Sequence, residues 1–241
     1  MMARCLALAL LGGSAACLLE PAQAQSASGF GGEVALASQL ADRGIAITPA
    51  RPTIQAAINW TSPKGWTFGV AGGSELDSPR LAESLAQVAR SWSLSNDWQM
   101  QTSLFYYHYA GPAHARVYDR TEAAVTWIYR DILSLGVSGI YAIGAKEQRL
   151  RPALDLNARW PLAWNVSVSA GVGTAEYVIA SYRPTARYDH VGFYGYGHAG
   201  LSWSQGPWRV ELSRVATDPS FRRHWGELAA SSWLATAAWS F

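Results

Sequence analysis

The clearest feature of the chain is a strict alternation of apolar and polar residues that returns at short intervals. Between Thr53 and Thr61, the apolar residues Ile54, Ile58 and Trp60 share one parity, and polar or small residues take the other. A period of two predicts a β-strand with one apolar and one polar face. A helical period is weak and is confined to Leu81–Val88. The alternation recurs over residues 66–70, 123–129, 154–160, 164–172 and 208–212.

Two kinds of connection separate these stretches. Short turn sequences such as Ser62–Gly65 and Gln205–Pro207 alternate with longer polar segments, which hold more than half of the charged residues. This arrangement is typical of an outer-membrane barrel. We therefore predict an all-β fold: a single antiparallel up-and-down transmembrane β-barrel of about twelve strands, with short periplasmic turns and longer extracellular loops. The longer loops are expected at residues 40–51, 74–80, 110–120, 144–151, 180–191 and 217–227.

Tryptophan is unusually frequent, with 12 residues, and its positions are sorted along the predicted strands. Most lie where a strand meets a short turn, as expected of indoles at a membrane interface. In the strand near Ala82–Leu94, Arg90 and Trp92 share a parity, so one of them is expected at an interface. The alternative is a soluble exported barrel or sandwich with a tryptophan core. The predicted interface aromatics are Trp60, Trp66, Trp98, Trp160, Trp164, Trp203, Trp208 and Trp239.

The chain begins with the features of a secretory signal peptide. Arg4 precedes an apolar segment, and Ala22-Gln23-Ala24 is a small-x-small cleavage site. We predict a signal peptide over residues 1–24 and the outer-membrane barrel over residues 25–241. Both cysteines, Cys5 and Cys17, fall in the predicted signal, so we expect no disulfide in the mature chain. The alternative is a lipoprotein signal with Cys17 as the acylated residue.

The polar faces of the predicted strands mix acids, bases, amides and small residues. A transmembrane barrel turns such faces inward, so they predict the lining of the lumen. The mixture favours a narrow hydrated lumen for small polar solutes over a pore that selects one charge, although paired charges can equally plug the barrel. The predicted lining comprises Gln55, Asn59, Gln101, Glu122, Arg130, Asp155, Arg159, Tyr196, His198, Arg209 and Glu211.

The sequence also resembles a known family over part of its length. Val34–Ser38, Arg43–Ile45 and Gly65–Gly69 are similar to the opening of the TorF-type porin family, outer-membrane β-barrel proteins of Gram-negative bacteria. The alternating final strand and its aromatic last residue, Phe241, resemble the terminal signal that the barrel-assembly machinery recognises. The resemblance implies a porin-like role in the cell outer membrane and no catalytic residues.

Other motifs favour a protein without catalysis or cofactors. The net charge of +2 indicates no nucleic-acid partner. The five histidines are scattered, so no metal site is expected. Gly195–Gly200 matches a dinucleotide motif, but the residues that follow continue a strand. A lipid hydrolase is the less favoured alternative, with His198 beside Ser202 or His108 beside Ser103 as its pairs.

The expected function is passive diffusion of small hydrophilic solutes through the outer membrane. The alternative is a non-conducting barrel with a binding or envelope-structural role. Expected partners are outer-membrane lipid, lipopolysaccharide, the assembly machinery and small polar solutes, whereas the oligomeric state stays open. The predicted loop segments Tyr182–Pro184 and Arg222–Trp225 combine bases with aromatic rings that suit lipopolysaccharide phosphates, or simply keep the outer edge soluble.

Overall fold

The computed structural model describes residues 29–78, 80–110, 117–180 and 189–241. The predicted signal peptide, residues 1–24, and the loop segment Tyr182–Pro184 lie outside these ranges. In chain order the elements are β1 (Gly29–Ala37), β2 (Ala41–Asp42), β3 (Ile45–Ala46), β4 (Thr53–Thr61), β5 (Trp66–Glu75), β6 (Leu81–Ser93), β7 (Trp98–Tyr109), β8 (Arg120–Tyr129), β9 (Leu133–Ala142), β10 (Leu150–Pro161), β11 (Val166–Ile179), β12 (His190–Gln205), β13 (Trp208–Thr217), α1 (Pro219–Trp225), a 3-10 turn (Gly226–Leu228) and β14 (Trp233–Ser240).

Twelve of these strands form one closed antiparallel barrel. Each strand from β4 to β14 pairs with its neighbour in the chain, and β1 pairs with both β4 and β14 to close the wall. The closing ladder runs from Glu33 opposite Ser240 to Ala37 opposite Thr236. The predicted fold class and strand number are therefore confirmed. The remaining strands, β2 and β3, pair only with each other.

The apolar and polar residues that alternate in the sequence face alternately outward and inward in the barrel wall. In β4, Ile54 and Ile58 are exposed on the outer face, whereas Thr53 and Ala57 are buried inside. Because the barrel is closed, every strand has a neighbour on each side for its backbone hydrogen bonds. This is required in the membrane, because hydrocarbon cannot form hydrogen bonds with the backbone. The chain is thus an outer-membrane barrel whose outer surface is apolar. Exposed aliphatic side chains surround it: Ile58, Val70, Leu104, Val137, Leu156, Val172, Leu201 and Leu212.

The two ends of the barrel differ as the sequence predicts. Both ends of the described wall, Gly29 and Phe241, lie at the rim that carries the short turns. The stretch with weak helical periodicity, Leu81–Val88, belongs to β6. Among the described residues, none of the helical segments is long and apolar enough to cross a bilayer.

Candidate functional site

Most of the segment between β1 and β4, residues 38–48, folds into the barrel, whereas residues 49–52 are exposed. Leu40 is 1% exposed and Ile47 3%, and both belong to a buried apolar cluster that includes Phe105 and Tyr107 of the inner wall. The sequence predicts a longer extracellular connection at residues 40–51, and the structure places the connection at that end of the barrel but turns most of it inward. The physical reason is that its apolar residues gain more by packing inside the barrel than by exposure at the rim.

The β2–β3 hairpin is the part of this segment that crosses the bore. Its turn is formed by Arg43 and Gly44, both with positive φ (48° and 77°), which is the backbone of a tight two-residue hairpin. A Cβ on Gly44 would lie 2.5 Å from Cγ2 of Thr217 in β13. Only glycine therefore allows the turn to approach β13 so closely.

Arg43 fixes the hairpin to the opposite side of the lumen. Its guanidinium donates to both carboxylate oxygens of Glu122 (2.9 and 2.6 Å), to Asp155 (3.1 Å) and to the Ser138 hydroxyl (3.4 Å). Burial lowers the pKa of Arg43, but the attraction of the Glu122 and Asp155 carboxylates outweighs it and leaves the pKa well above its usual value. The arginine is held as a cation between β8, β9 and β10.

Two further contacts extend this ionic cluster. Asp42, beside Arg43 in the hairpin, forms an ion pair with Arg120 of β8, and the hydroxyl of Tyr196 in β12 donates to Asp155. The ring of Tyr196 fits because β11 has Gly173 opposite it, where a Cβ would lie 2.5 Å from the phenol. We name these groups, Asp42, Arg43, Arg120, Glu122, Asp155 and Tyr196, the constriction cluster.

The connection between β13 and β14 also turns inward and meets the hairpin. Phe221 of α1 packs on Tyr194, with ring centroids 4.8 Å apart. The amide of Ala230 donates to the carbonyl of Gly44 (2.8 Å), and the amide of Ser231 donates to the Gln39 side chain (2.8 Å). The two inward segments therefore support each other inside the barrel.

This packing changes the interpretation of Arg222. Its guanidinium donates to the Thr217 hydroxyl (3.2 Å), the Ala230 carbonyl (3.3 Å) and the Ser232 hydroxyl (3.4 Å). Arg222 therefore anchors the loop to the barrel, although the sequence suggested it as a phosphate ligand. Arg222 and its neighbour Arg223 are both exposed, but among the hydrogen bonds of the described residues only Arg222 has partners in the loop and β13.

Below the constriction cluster, toward the short-turn rim, the lumen wall is polar. Arg209 of β13 donates to both carboxylate oxygens of Glu33 in β1 (3.0 and 2.9 Å), and the Ser240 hydroxyl donates to the same carboxylate (3.2 Å). Ser169 donates to Glu211 (3.4 Å). Acidic and basic side chains are thus mixed here also, and do not form separate patches of negative and positive charge.

The structure places all but one of the predicted lining residues on the inner face. The exception is Arg130, which lies in the turn after β8 with φ of 48° and pairs with Asp97, its Nε 2.7 Å from the carboxylate. The strand ends one residue before Arg130, so parity no longer fixes its direction. The residues on the inner face are Gln55, Asn59, Gln101, Glu122, Asp155, Arg159, Tyr196, His198, Arg209 and Glu211.

Sequence reasoning missed the loop's contribution to the site. Leu40, Asp42 and Arg43 fall in the extracellular loop predicted at residues 40–51, and Arg120 is the last residue of a different predicted loop, residues 110–120. The available signal was the Arg43-Gly44 pair, which suits a tight turn, between residues that alternate in polarity.

The eight predicted interface tryptophans all lie near the short-turn rim, either on the outer face or in a turn. Trp60 stacks on Phe68 and Trp239 on Phe241, with centroids 6.0 and 5.1 Å apart. Tyr106, Phe193 and Trp233 are exposed on the outer face near the other rim. Phe241 exchanges backbone hydrogen bonds with Gly32, so it extends the closing ladder between β14 and β1.

The suggested hydrolase pairs do not assemble. His108 points outward and bonds to Asp119 (2.8 Å), whereas Ser103 has the opposite parity on β7 and points inward. His198 and Ser202 share the inner face of β12 but are four residues apart, which is about 13 Å along a strand. The glycines from Gly195 to Gly200 lie within β12, and no helix follows them.

Comparison with known proteins identifies the fold. The barrel is similar to a NanC porin structure, with a TM-score of 0.55 and 10% identity over 88% of this chain and 99% of that one. It is also similar to the KdgM porin, with a TM-score of 0.51 and 7% identity over 88% and 98% of the two chains. No protein-family model and no curated protein matches the sequence. At these identities the likeness defines the architecture, a twelve-stranded barrel of porin type.

Proposed function

We propose that the protein is an outer-membrane channel through which small hydrophilic solutes diffuse passively, with no chemical step. The observation that carries this proposal is the lining of a closed barrel with polar and charged side chains, from the Glu33–Arg209 pair near the periplasmic rim to the constriction cluster. A barrel with a polar inner face and an apolar outer face lets water-soluble molecules cross a membrane whose hydrocarbon interior they cannot enter.

In this proposal the β2–β3 hairpin sets the size limit. A solute entering from outside meets a cavity of about 60 Å³ lined by Arg43, Tyr118 and Arg151, and then has to pass beside the hairpin. There the carboxylates of Glu122 and Asp155 and the guanidinium of Arg43 exchange hydrogen bonds with hydroxyl or amide groups. Because the two signs are interleaved, we expect weak selection between anions and cations.

The resemblance to TorF-type porins supports the same role. It rests on Val34–Ser38, Arg43–Ile45 and Gly65–Gly69, and the second of these ranges forms the hairpin turn and the start of β3. Lipid, lipopolysaccharide and the assembly machinery are the partners we propose for such a barrel, with Phe241 at the closing ladder as the assembly signal.

The crossing hairpin favours a second candidate, a non-conducting barrel with a binding or envelope-structural role. Paired charges and packed apolar residues on the hairpin are features of a plug as well as of a constriction. Conductance separates the two, because only a channel passes ions.

The test is conductance of the refolded mature barrel in a planar lipid bilayer. We expect discrete current steps that grow with salt concentration and a permeability ratio of roughly one between potassium and chloride. Silence over the whole range of salt and voltage would reject the channel in favour of the non-conducting barrel. Heat-denatured protein added at the same concentration is the control for leakage by detergent.

A further inference from the structure

Arg90 lies on the outer face of the barrel, where a charged side chain is unusual. In β6 it shares its parity with Val88 and Trp92, which also face outward. It stands opposite Trp66, the first residue of β5, and therefore close to the short-turn rim. An arginine on this face is stable only where its guanidinium can reach the lipid headgroups.

Two tryptophans enclose the guanidinium. Its Cζ lies 5.2 Å from the ring centroid of Trp66 and 5.0 Å from that of Trp92. Both distances are within the range of cation–π attraction, so the two rings fix the plane of the group. The sequence predicted one of Arg90 and Trp92 at an interface; both lie near the short-turn rim, and the Arg90 guanidinium lies over the Trp92 ring.

The hydrogen-bonding capacity of Arg90 is unused. Its Nε is buried without a hydrogen-bond partner, and no carboxylate pairs with the guanidinium among the described residues. Arg130, at the same rim, differs because Asp97 occupies two of its nitrogens at 2.7 and 3.1 Å. On the other side of Arg90, Thr102 of β7 stands opposite it in register and shares the outer face.

We propose that Arg90, Trp66, Trp92 and Thr102 form a binding site for the phosphodiester group of a phospholipid in the periplasmic leaflet. A guanidinium binds two oxygens of one phosphate through parallel N–H bonds, and the adjacent threonine hydroxyl supplies a further donor. The two indoles pack along the glycerol and the first acyl carbons, where such rings are most stable. This site lies outside the wall and is independent of the lumen.

The experiment is native mass spectrometry of the refolded full-length mature barrel, released from detergent micelles that contain phosphatidylglycerol. We expect the wild type to retain one lipid, and Arg90→Ala to lower the apparent affinity by about tenfold or more, the loss of a charge-assisted bidentate contact. Arg90→Lys keeps the positive charge but loses the two parallel N–H donors of the guanidinium, so we expect this variant also to lose most of the affinity. The Trp66→Leu/Trp92→Leu variant keeps Arg90 and also binds more weakly.

Lys64→Ala is the matched control. Lys64 is an exposed base in the turn between β4 and β5, at the same rim and without aromatic neighbours that enclose it. We expect its lipid retention to equal that of the wild type. Equal loss in both variants would overturn the site in favour of general attraction to a basic rim, and unchanged retention by Arg90→Ala would overturn it directly.

Two further measurements test whether the site binds lipid rather than free phosphate, and whether the Arg90 substitution affects folding. Inorganic phosphate at millimolar concentration is expected to leave the bound lipid in place, and displacement of the lipid would overturn a site built for a lipid. Unboiled Arg90→Ala is expected to migrate on gels as the wild type does, and to conduct as it does. A folded variant that retains lipid normally would reject the proposal whether or not the channel proposal holds.

Discussion

At the scale of single residues, Arg43 has the most demanding environment in the lumen. It is the turn residue of an inward hairpin, yet it contacts Glu122 on β8 and Asp155 on β10 with bond lengths near 3 Å. Two carboxylates facing one guanidinium leave this level slightly acidic, and the Arg120–Asp42 pair beside them adds no net charge. Arg43 thus links the hairpin to the opposite wall and contributes directly to the electric field in the bore.

We expect Arg43→Ala to make the bore wider and more cation-selective, because it releases the hairpin and leaves Glu122 and Asp155 without their main counter-charge. The measurements are single-channel conductance and the reversal potential in a salt gradient, both relative to wild type. Arg51→Ala is the control. Arg51 belongs to the same segment but is exposed and pairs with Asp77 at 3.3 Å, so its removal changes the net charge equally. Identical reversal potentials in the two variants would contradict a role for Arg43 in the constriction.

At the scale of elements, the strands were predictable and the contents of the barrel were not. Alternation fixes which face of β4 meets lipid, because lipid requires an apolar face over the whole length of a strand. In a short connection, alternation alone does not tell which face is buried. Leu40 and Ile47 are buried in a cluster with Phe105 and Tyr107 of β7, which are far away in sequence. Pattern alone therefore predicts the wall and which face of each strand turns inward, while the inward fold of the hairpin depends on packing between residues distant in sequence.

Replacing residues 41–46 by a short glycine–serine linker tests the hairpin as an element. The barrel wall should form as before, because β2 and β3 pair with each other and not with the wall. We expect larger current steps and faster uptake of a small sugar into liposomes that contain the variant. The control replaces the turn at residues 94–97, at the opposite rim, by a linker of the same composition. We expect its current steps and sugar uptake to stay near the wild-type values. Unchanged steps after removal of the hairpin would mean that another segment limits the bore.

At the scale of the whole molecule, pairing between β1 and β14 closes the series of hairpins into a barrel. This junction joins strands from opposite ends of the sequence, and a cluster of side chains reinforces it inside. Glu33 of β1 accepts from Ser240 of β14 at 3.2 Å and from Arg209 of β13 at 2.9 Å. One carboxylate thereby connects three adjacent strands, the last two of which form at the end of the chain.

We expect Glu33→Gln to lower the thermal stability of the folded barrel, because it leaves the largely buried Arg209 without its counter-charge. Breaking a buried pair from one side costs about 3–5 kcal/mol, and some solvent access at this rim places the effect toward the lower value. The measurement is the temperature at which the fast-migrating folded band disappears from gels of unboiled samples. Asp97→Asn is the control: it breaks the exposed pair with Arg130 at the same rim, which contributes little because water screens it. Equal temperatures for the two variants would show that the junction is held by its backbone hydrogen bonds and outer aromatic contacts, such as Trp239 on Phe241, rather than by the charges within.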